Sequence, residues 1–366
     1  MQAVNSVVET VREKIVTKPR EPEDWLLATD VEEIAEDEDE TIDEIAELIK
    51  KMMDHNFDAH QHKFRGTHVK SLAFVKGTLA IDSDLPKHLQ QGIFVPGKKY
   101  DCIARFANEP SFIMDDKEKA PRGLGLKIFE VEGERLEQDP GNHTQDFLFN
   151  NAPMVETTKE IFELREKHFD SPKTLQLELA KRSDRLKQFA PTMLPNTFVI
   201  GATMYTQSAF SFGPYVAHLS LVPTTPEQEE LATQTIPSDV SATFHREHLQ
   251  TYFKSNAASY KIRAQFCSST TAHPIEDAST AWDSVTSPWI DLGELRFDSQ
   301  ESYSNQRRIW WEDTVALSPW NGVVDHRPLG SINRLRKRVY RAGRGHRGEG
   351  NLREIKFPKS VDEMPE

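Results

Sequence analysis

In TIDEIAELIKKMMD, residues 41 to 54, the apolar side chains Ile45, Leu48, Ile49 and Met52 recur at three- and four-residue intervals. That spacing places them on one face of a helix. Thr41 and Glu44 stand at the capping-box separation, which predicts a start at Thr41, and Lys50 and Lys51 suit the negative end of the helix dipole. From residue 67 the period falls to two. THVKSLAFVKGTLAI, KYDCIARFAN and RGLGLKIFEV are rich in β-branched and aromatic residues, and DSDLP and VPGKK punctuate the first two. Further strands are expected in NTFVIGATMYTQSAFSFG, YVAHLSLVP, SYKIRAQFC and LGELRFD. Residues 157 to 190 read as two helices broken at DSPK, and residues 225 to 255 as more helix from TPEQEELATQ. Antiparallel-type strands with helices inserted predict an α+β fold built on a sheet or barrel. The sequence shows no repeat and no glycine-rich phosphate loop.

Residues 1 to 62 read as an acidic, helical N-terminal arm, in which ATDVEEIAEDEDE is too charged to pack and predicts an exposed connector. Residues 63 to 366 carry the strand patterns and form the main domain. With 37% hydrophobic residues the chain can build a core of normal size. No run approaches the ~18 consecutive apolar residues of a membrane span, so no integral membrane segment is expected. MQAVNSVVETVREK lacks the apolar centre of a secretory signal. Cys102 and Cys267 are too few for a disulfide framework or a cysteine zinc site, which suits a cytoplasmic protein.

The chain has a formal charge of −13, yet GSINRLRKRVYRAGRGHRGEG, residues 330 to 350, gathers six arginines and a lysine around Tyr340. Such a run fits a nucleic-acid backbone, a solvated helix face, or a clamp for an anionic group beside a reactive tyrosine. Arg336 precedes Tyr340 by four residues, which on a helix puts both on one face. A nearby guanidinium favours phenolate, a good ligand for ferric iron. His55, His60, His62 and His68 cluster in HNFDAHQHKFRGTH but without fixed carboxylate partners, and the first three read as surface histidines. His68 differs: it stands beside Thr67 at the start of an expected strand, as a core residue or an acid–base group. In DFLFNNAPMV, Asn150 and Asn151 end an apolar run that Pro153 closes; asparagines there commonly bond their own backbone.

Taken in order, these segments resemble the catalase family across most of residues 63 to 350. RGTHVK resembles the distal segment, with Arg65 three residues before the essential histidine, His68. ARFAN resembles the Arg-Phe-Ser segment whose arginine, here Arg105, reaches a haem propionate. PRGLGLKIF is similar to the Arg-Gly-Phe-Ala-x-Lys-Phe strand, and FNNAP to Gly-Asn-Asn-Thr-Pro, making Asn150 the distal asparagine. LSPWNGVVDHRPLGSINR is similar to the approach to the proximal helix, where Arg336, Tyr340 and Arg347 match the proximal arginine, axial tyrosine and third propionate arginine.

The resemblance implies a catalase-like antiparallel β-barrel with inserted helices, without the C-terminal helical domain of full-size members, holding haem b. It implies Tyr340 as axial ligand to the iron, held as phenolate by Arg336, and Arg65, Arg105 and Arg347 as a clamp on the propionates. It implies His68 as acid–base group and Asn150 as the residue that orients a peroxide. The substrates it implies are hydrogen peroxide or organic hydroperoxides, lipid hydroperoxides included, with no nucleic-acid partner and with homo-oligomerisation left open. Two departures bear on the reaction. Ala107 stands where the family has a serine, and Thr67 replaces the usual valine, giving a Thr-His pair like that of allene oxide synthase and related hydroperoxide-processing proteins. A Thr67 hydroxyl bonded to the imidazole would restrain proton transfer. The alternative activity is therefore a fatty-acid hydroperoxide dehydratase or isomerase, and a third is haem binding without turnover.

Overall fold

A computed structural model describes residues 24–29, 31–136, 141–152, 172–183, 185–186, 189 and 195–366. The strands are β1 (Lys70–Ile81), β2 (Lys99–Asn108), β3 (Arg122–Ile128), β4 (Gln145–Asn150), β5 (Met204–Tyr205), β6 (Phe210–Phe212), β7 (Tyr215–Pro223), β8 (Ala258–Phe266) and β9 (Ile290–Phe297). They form one antiparallel sheet in the order β5-β4-β3-β2-β1-β9-β8-β7-β6. β5 also pairs with β7, so among the described residues every strand but β6 joins a closed ring, and β6 hangs from β7 as a hairpin. Around the barrel lie α1 (Glu38–His60), α2 (Pro172–Ala180), α3 (Pro226–Ala232), α4 (Phe244–Ser255), α5 (Asn305–Ile309) and α6 (Ser331–Asn351).

Strand alternation sets the two faces. On β2, Tyr100, Cys102, Ala104 and Phe106 point into the barrel core, and on β3 Leu124, Leu126 and Ile128 do the same. The intervening residues face outward, Asp101 into solvent, but from Ile103 on β2 and along β3 they are buried, because helices cover that side. Here α1 lies against α6, with Ile45, Leu48, Ile49, Met52 and Met53 packed on Leu335 and Val339. The expected stripe on α1 is therefore real, but its start is not. The helix begins at Glu38, with Asp37 as an unbonded cap, and Thr41 lies inside the first turn. Glu38, Asp39 and Glu40 favour the positive end of the dipole, and Arg334 and Arg338 on α6 bind Glu38 and Asp39.

The acidic connector is likewise not simply solvated. Glu32 accepts from Arg327 and Arg334 at 2.6 Å each, and Arg334 also reaches Glu276 at 2.8 Å. Opposite charge from α6 neutralises this part of it. The stretch expected as strand over 196–213 is broken into a 3-10 turn at Val199–Gly201, then β5 and β6. Gly201 is pressed so closely on α3 that a Cβ would lie 2.6 Å from the Ala232 nitrogen, and Gln207 adopts φ 58° between β5 and β6. Of the two helices expected over 157–190, the first lies outside the described residues, as does Pro153; the second contains α2. No helix among the described residues is long and apolar enough to cross a membrane.

Buried neutral histidines hold parts of this fold and make it acid-sensitive. His326 Nε2 accepts from the Ile93 N–H at 3.0 Å, while Nδ1 lies 3.4 Å from the Ser211 carbonyl. Burial pushes its pKa from 6.5 down to about 4. His218 is pushed to about 3 and His245 to about 2, again first by burial. A histidine whose folded value is depressed contributes stability above its unfolded pKa, and loses it as the pH falls through the window between the two. Denaturant melts should therefore show stability declining from about pH 6.5 downward, with His326 alone accounting for ~3 kcal/mol by pH 4. Stability unchanged between pH 7 and 4 would mean these rings are free to charge in the folded chain.

Candidate functional site

The outer faces of β2, β3 and β4 line a cavity roofed by α6 and α1, with about 210 Å³ open to the centres of water-sized molecules. Its floor follows from the sequence. In RGLGLKI the leucines point into the barrel, so Gly123 and Gly125 face outward and leave the floor flat. A Cβ on Gly123 would meet the His68 ring at 2.5 Å, and one on Gly125 would meet Leu317 at 2.7 Å. Ala107 and Asn150 flank Gly123 in register on the two neighbouring strands.

His68 does not start a strand, as its position in the sequence suggested. It precedes β1 in a left-handed conformation, φ 53°, where residues other than glycine store ~1–3 kcal/mol of strain. Its N–H donates to the Glu109 carbonyl at 2.8 Å, and its carbonyl accepts from Arg105. The turn lays the ring over Gly123. Burial, then the charges of Arg105 and Arg336, push its pKa down to about 3, so the imidazole is neutral at physiological pH. Thr67 also lines the cavity but is exposed, and no hydrogen bond of its hydroxyl is found among the described residues. The hydroxyl bond to the imidazole that the resemblance implied is thus not formed among the described residues. Asn150 both lines the cavity and makes the local turn, its Oδ1 accepting from the Ala152 N–H at 2.9 Å. Nδ2 has no partner among the described residues. Asn151 takes the purely structural role, Oδ1 accepting from the Arg122 N–H at 2.8 Å.

The helical spacing of Arg336 and Tyr340 holds: both sit on α6 and both line the cavity. Arg336 donates to Asn333 Oδ1 at 3.1 Å and reaches Gln207 Oε1 at 3.5 Å. In the haem-free chain the charge of Arg336 acts in the expected direction but does not by itself make the phenolate. Burial raises the phenol pKa, and the charges of Arg336, Arg65 and Arg105 offset only part of that rise. Left alone, Tyr340 is a neutral phenol whose hydroxyl has no protein partner among the described residues.

Arg65, Arg105 and Arg347, remote in sequence, line the same cavity. Two of them are not free. Arg65 Nε donates to Glu312 Oε2 at 2.8 Å and Arg105 Nε to Glu312 Oε1 at 2.6 Å. Glu312 lies on a single π-helical turn, Trp310–Thr314, and burial working against it is overcome by Arg105 and Arg65, which hold its pKa at about 2. Nothing in the sequence reading singled it out; the neighbouring Trp-Trp pair and the Glu-Asp pair were the available signal. Arg347 makes only a 3.3 Å bond to the Val315 carbonyl, and its buried Nε is unbonded. The two kinds of arginine should respond differently to substitution. Arg105→Leu leaves Glu312 half-paired in the interior and should cost ~3–5 kcal/mol of stability. Arg347→Leu should leave the melting temperature of the empty protein near wild type, and equal losses in thermal melts would refute the distinction.

Other cations of the basic run have their own partners, Arg344 lying over the Phe357 ring. Arg338 binds Asp39 and Asp43, and Lys337 lies 4.3 Å over the Trp320 ring. The remaining histidines of the cluster go separate ways. His62 meets Asp313 at 2.9 Å, His55 packs edge-on against Phe112, and His60 is exposed beside Phe64.

The cavity's residues imply a haem. A haem needs apolar walls, an anionic oxygen ligand and cations for two carboxylates. Ile49, Leu335, Val339 and Leu317 supply walls, Tyr340 an unbonded phenol, and Arg347 an orphaned guanidinium N–H. The residues fit.

No family model matches the chain. A linolenate 9R-lipoxygenase of Nostoc sp. (strain PCC 7120) is 25% identical over 288 residues, 71% of this chain and 34% of that protein. The chain thus spans about a third of the length of this curated relative. Among solved structures, a fungal catalase superposes with TM-score 0.58 at 15% identity, covering 85% of this chain and 69% of that one. Catalase A of Saccharomyces cerevisiae gives 0.54 at 12% identity, over 91% and 68% of the two chains. A bacterial catalase gives 0.52 at 15%, over 91% and 64%. The molecule is therefore a helix-covered β-barrel with a buried, arginine-rich cavity on its outer face. Its fold is that of the catalases.

Proposed function

We propose that this chain is a haem-dependent oxidoreductase that processes peroxides in the cavity between α6 and the barrel. The observation that carries the reading is that Tyr340, neutral His68 and Asn150 line one cavity alongside buried guanidiniums. Bound haem, of the b type, would supply the redox-active iron needed to cleave an O–O bond. Tyr340 would give its oxygen to that iron and release the phenol proton, and the charges of Arg336, Arg65 and Arg105 would then favour the anion. His68, unprotonated at neutral pH, can take the proton from a peroxide O–H and return it to the departing oxygen, which is general acid–base catalysis. Asn150, its Oδ1 fixed by Ala152, can offer Nδ2 to a peroxide oxygen. Water exclusion comes from the apolar residues of α1 and α6.

Two observations favour a second reading, dehydration or isomerisation of fatty-acid hydroperoxides. The chain aligns with part of a protein named for a linolenate lipoxygenase, and Ala107 leaves the His68 side of the cavity without the family's serine hydroxyl. Oxygen evolution from hydrogen peroxide, measured beside loss of conjugated-diene absorbance from a lipid hydroperoxide, separates the two. The haem-loaded chain should consume at least one peroxide and the haem-free chain neither. A loaded chain that leaves both untouched would be a haem carrier or sensor.

A further inference from the structure

The cavity end that holds Arg65, Arg105 and Arg347 is electrically unbalanced. Three guanidiniums converge there, those of Arg105 and Arg347 buried and that of Arg65 partly so, and the carboxylate bonded among them is Glu312. Glu312 is 3% exposed, and both of its oxygens are occupied: Oε2 by Arg65, Oε1 by Arg105 and the Ser71 hydroxyl. Arg65 spends its Nη2 on the carbonyls of Trp311 and Val315, at 2.9 and 3.1 Å. Arg347, also 3% exposed, is left with an unbonded Nε. A purely structural ion pair would be balanced, with no buried donor left over. Even with the buried Asp313 carboxylate, which meets His62 and also acts on Arg347, three guanidiniums face two carboxylates, and the cluster stops a charge short at the wall of a cavity.

We propose that Glu312 is the resident counter-ion of an anion clamp: it holds Arg65 and Arg105 in the empty chain and competes with the carboxylates of an incoming cofactor. This rests on the haem reading for the identity of the ligand, not for the role of Glu312 in the empty chain. A carboxylate entering near Arg347 finds a free donor, whereas one approaching Arg65 or Arg105 meets guanidiniums already engaged and a negative charge beside them. Glu312 therefore keeps the unfilled site folded at the expense of affinity. Without it, buried Arg105 and part-buried Arg65 would wait for the ligand's acid groups.

The test compares wild type, Glu312→Gln and Glu312→Gln/Arg65→Gln, using ferric protohaem and its dimethyl ester, whose carboxylates are masked. Empty Glu312→Gln should melt below wild type, and the double variant, with one cation also removed, should recover part of the loss. Glu312→Gln should bind protohaem tighter by roughly 5–150-fold, the range of an ordinary coupling between sites, and the ester no tighter than wild type does. An equal gain with the ester, or no gain with protohaem, overturns the proposal. If the single variant does not fold, the double variant must; its failure would assign Glu312 to holding Ser71 and β1 instead. Should wild type bind no haem, the functional reading fails, while the haem-free melting comparison still decides the counter-ion role.

Discussion

Tyr340→Phe is expected to lose haem while remaining folded. The ring stays in place, so the packing between α6, α1 and the barrel is unchanged, and the hydroxyl removed has no protein partner among the described residues. What disappears is the oxygen that can become an anion. Because burial raises the pKa of this phenol, the cation itself must drive deprotonation, and three guanidiniums make that easier without achieving it alone. The affinity should fall by more than the ~10–100-fold that removing an outer partner of a metal ligand costs. Absorbance titration with ferric haem, paired with a thermal melt of the empty variant, checks both halves. A variant that binds haem like wild type would remove Tyr340 from the ligand position.

His68→Ala should abolish peroxide turnover while sparing haem binding. General acid–base groups contribute ~10²–10⁴-fold, and no other imidazole lines the cavity among the described residues. The ring is neutral at neutral pH because it is buried among Arg105 and Arg336, which oppose a further positive charge. Its proton-accepting form therefore persists well into the acid range, so activity limits at low pH should follow unfolding rather than His68. His68→Gln, polar but unable to relay a proton, should be as inactive as alanine. Turnover within about tenfold of wild type in both variants would exclude the role.

Much of this was legible in the sequence because it depends on local period. The outward glycines of RGLGLKI, the apolar stripe on α1 and the spacing of Arg336 and Tyr340 are properties of a few neighbouring residues. The order of the segments, matched to a known family, placed Arg65, Arg105 and Arg347 at one site although no local rule relates them. What stayed hidden depends on long-range burial and charge. Glu312 lies 247 positions from Arg65 and 207 from Arg105, and reads in sequence as one of an ordinary acidic pair. The neutral state of Tyr340 in the haem-free chain was not legible, because Arg336 is visible at four residues' distance whereas the burial that outweighs it is not. The positive φ at His68 likewise cannot be seen in a threonine–histidine pair. Most of the connector is exposed as expected; that Glu32 is tied down was not legible, because its partners, Arg327 and Arg334, lie at the other end of the chain.

The central claim, that the cavity between α6 and the barrel holds haem on Tyr340, is tested most directly by titrating the purified full chain with ferric protohaem while recording its absorbance and electron paramagnetic resonance. The account predicts saturation at one haem per chain with a high-spin ferric signal of tyrosinate type, lost in Tyr340→Phe. Absence of saturable binding, or a low-spin signal unchanged by that substitution, would contradict it.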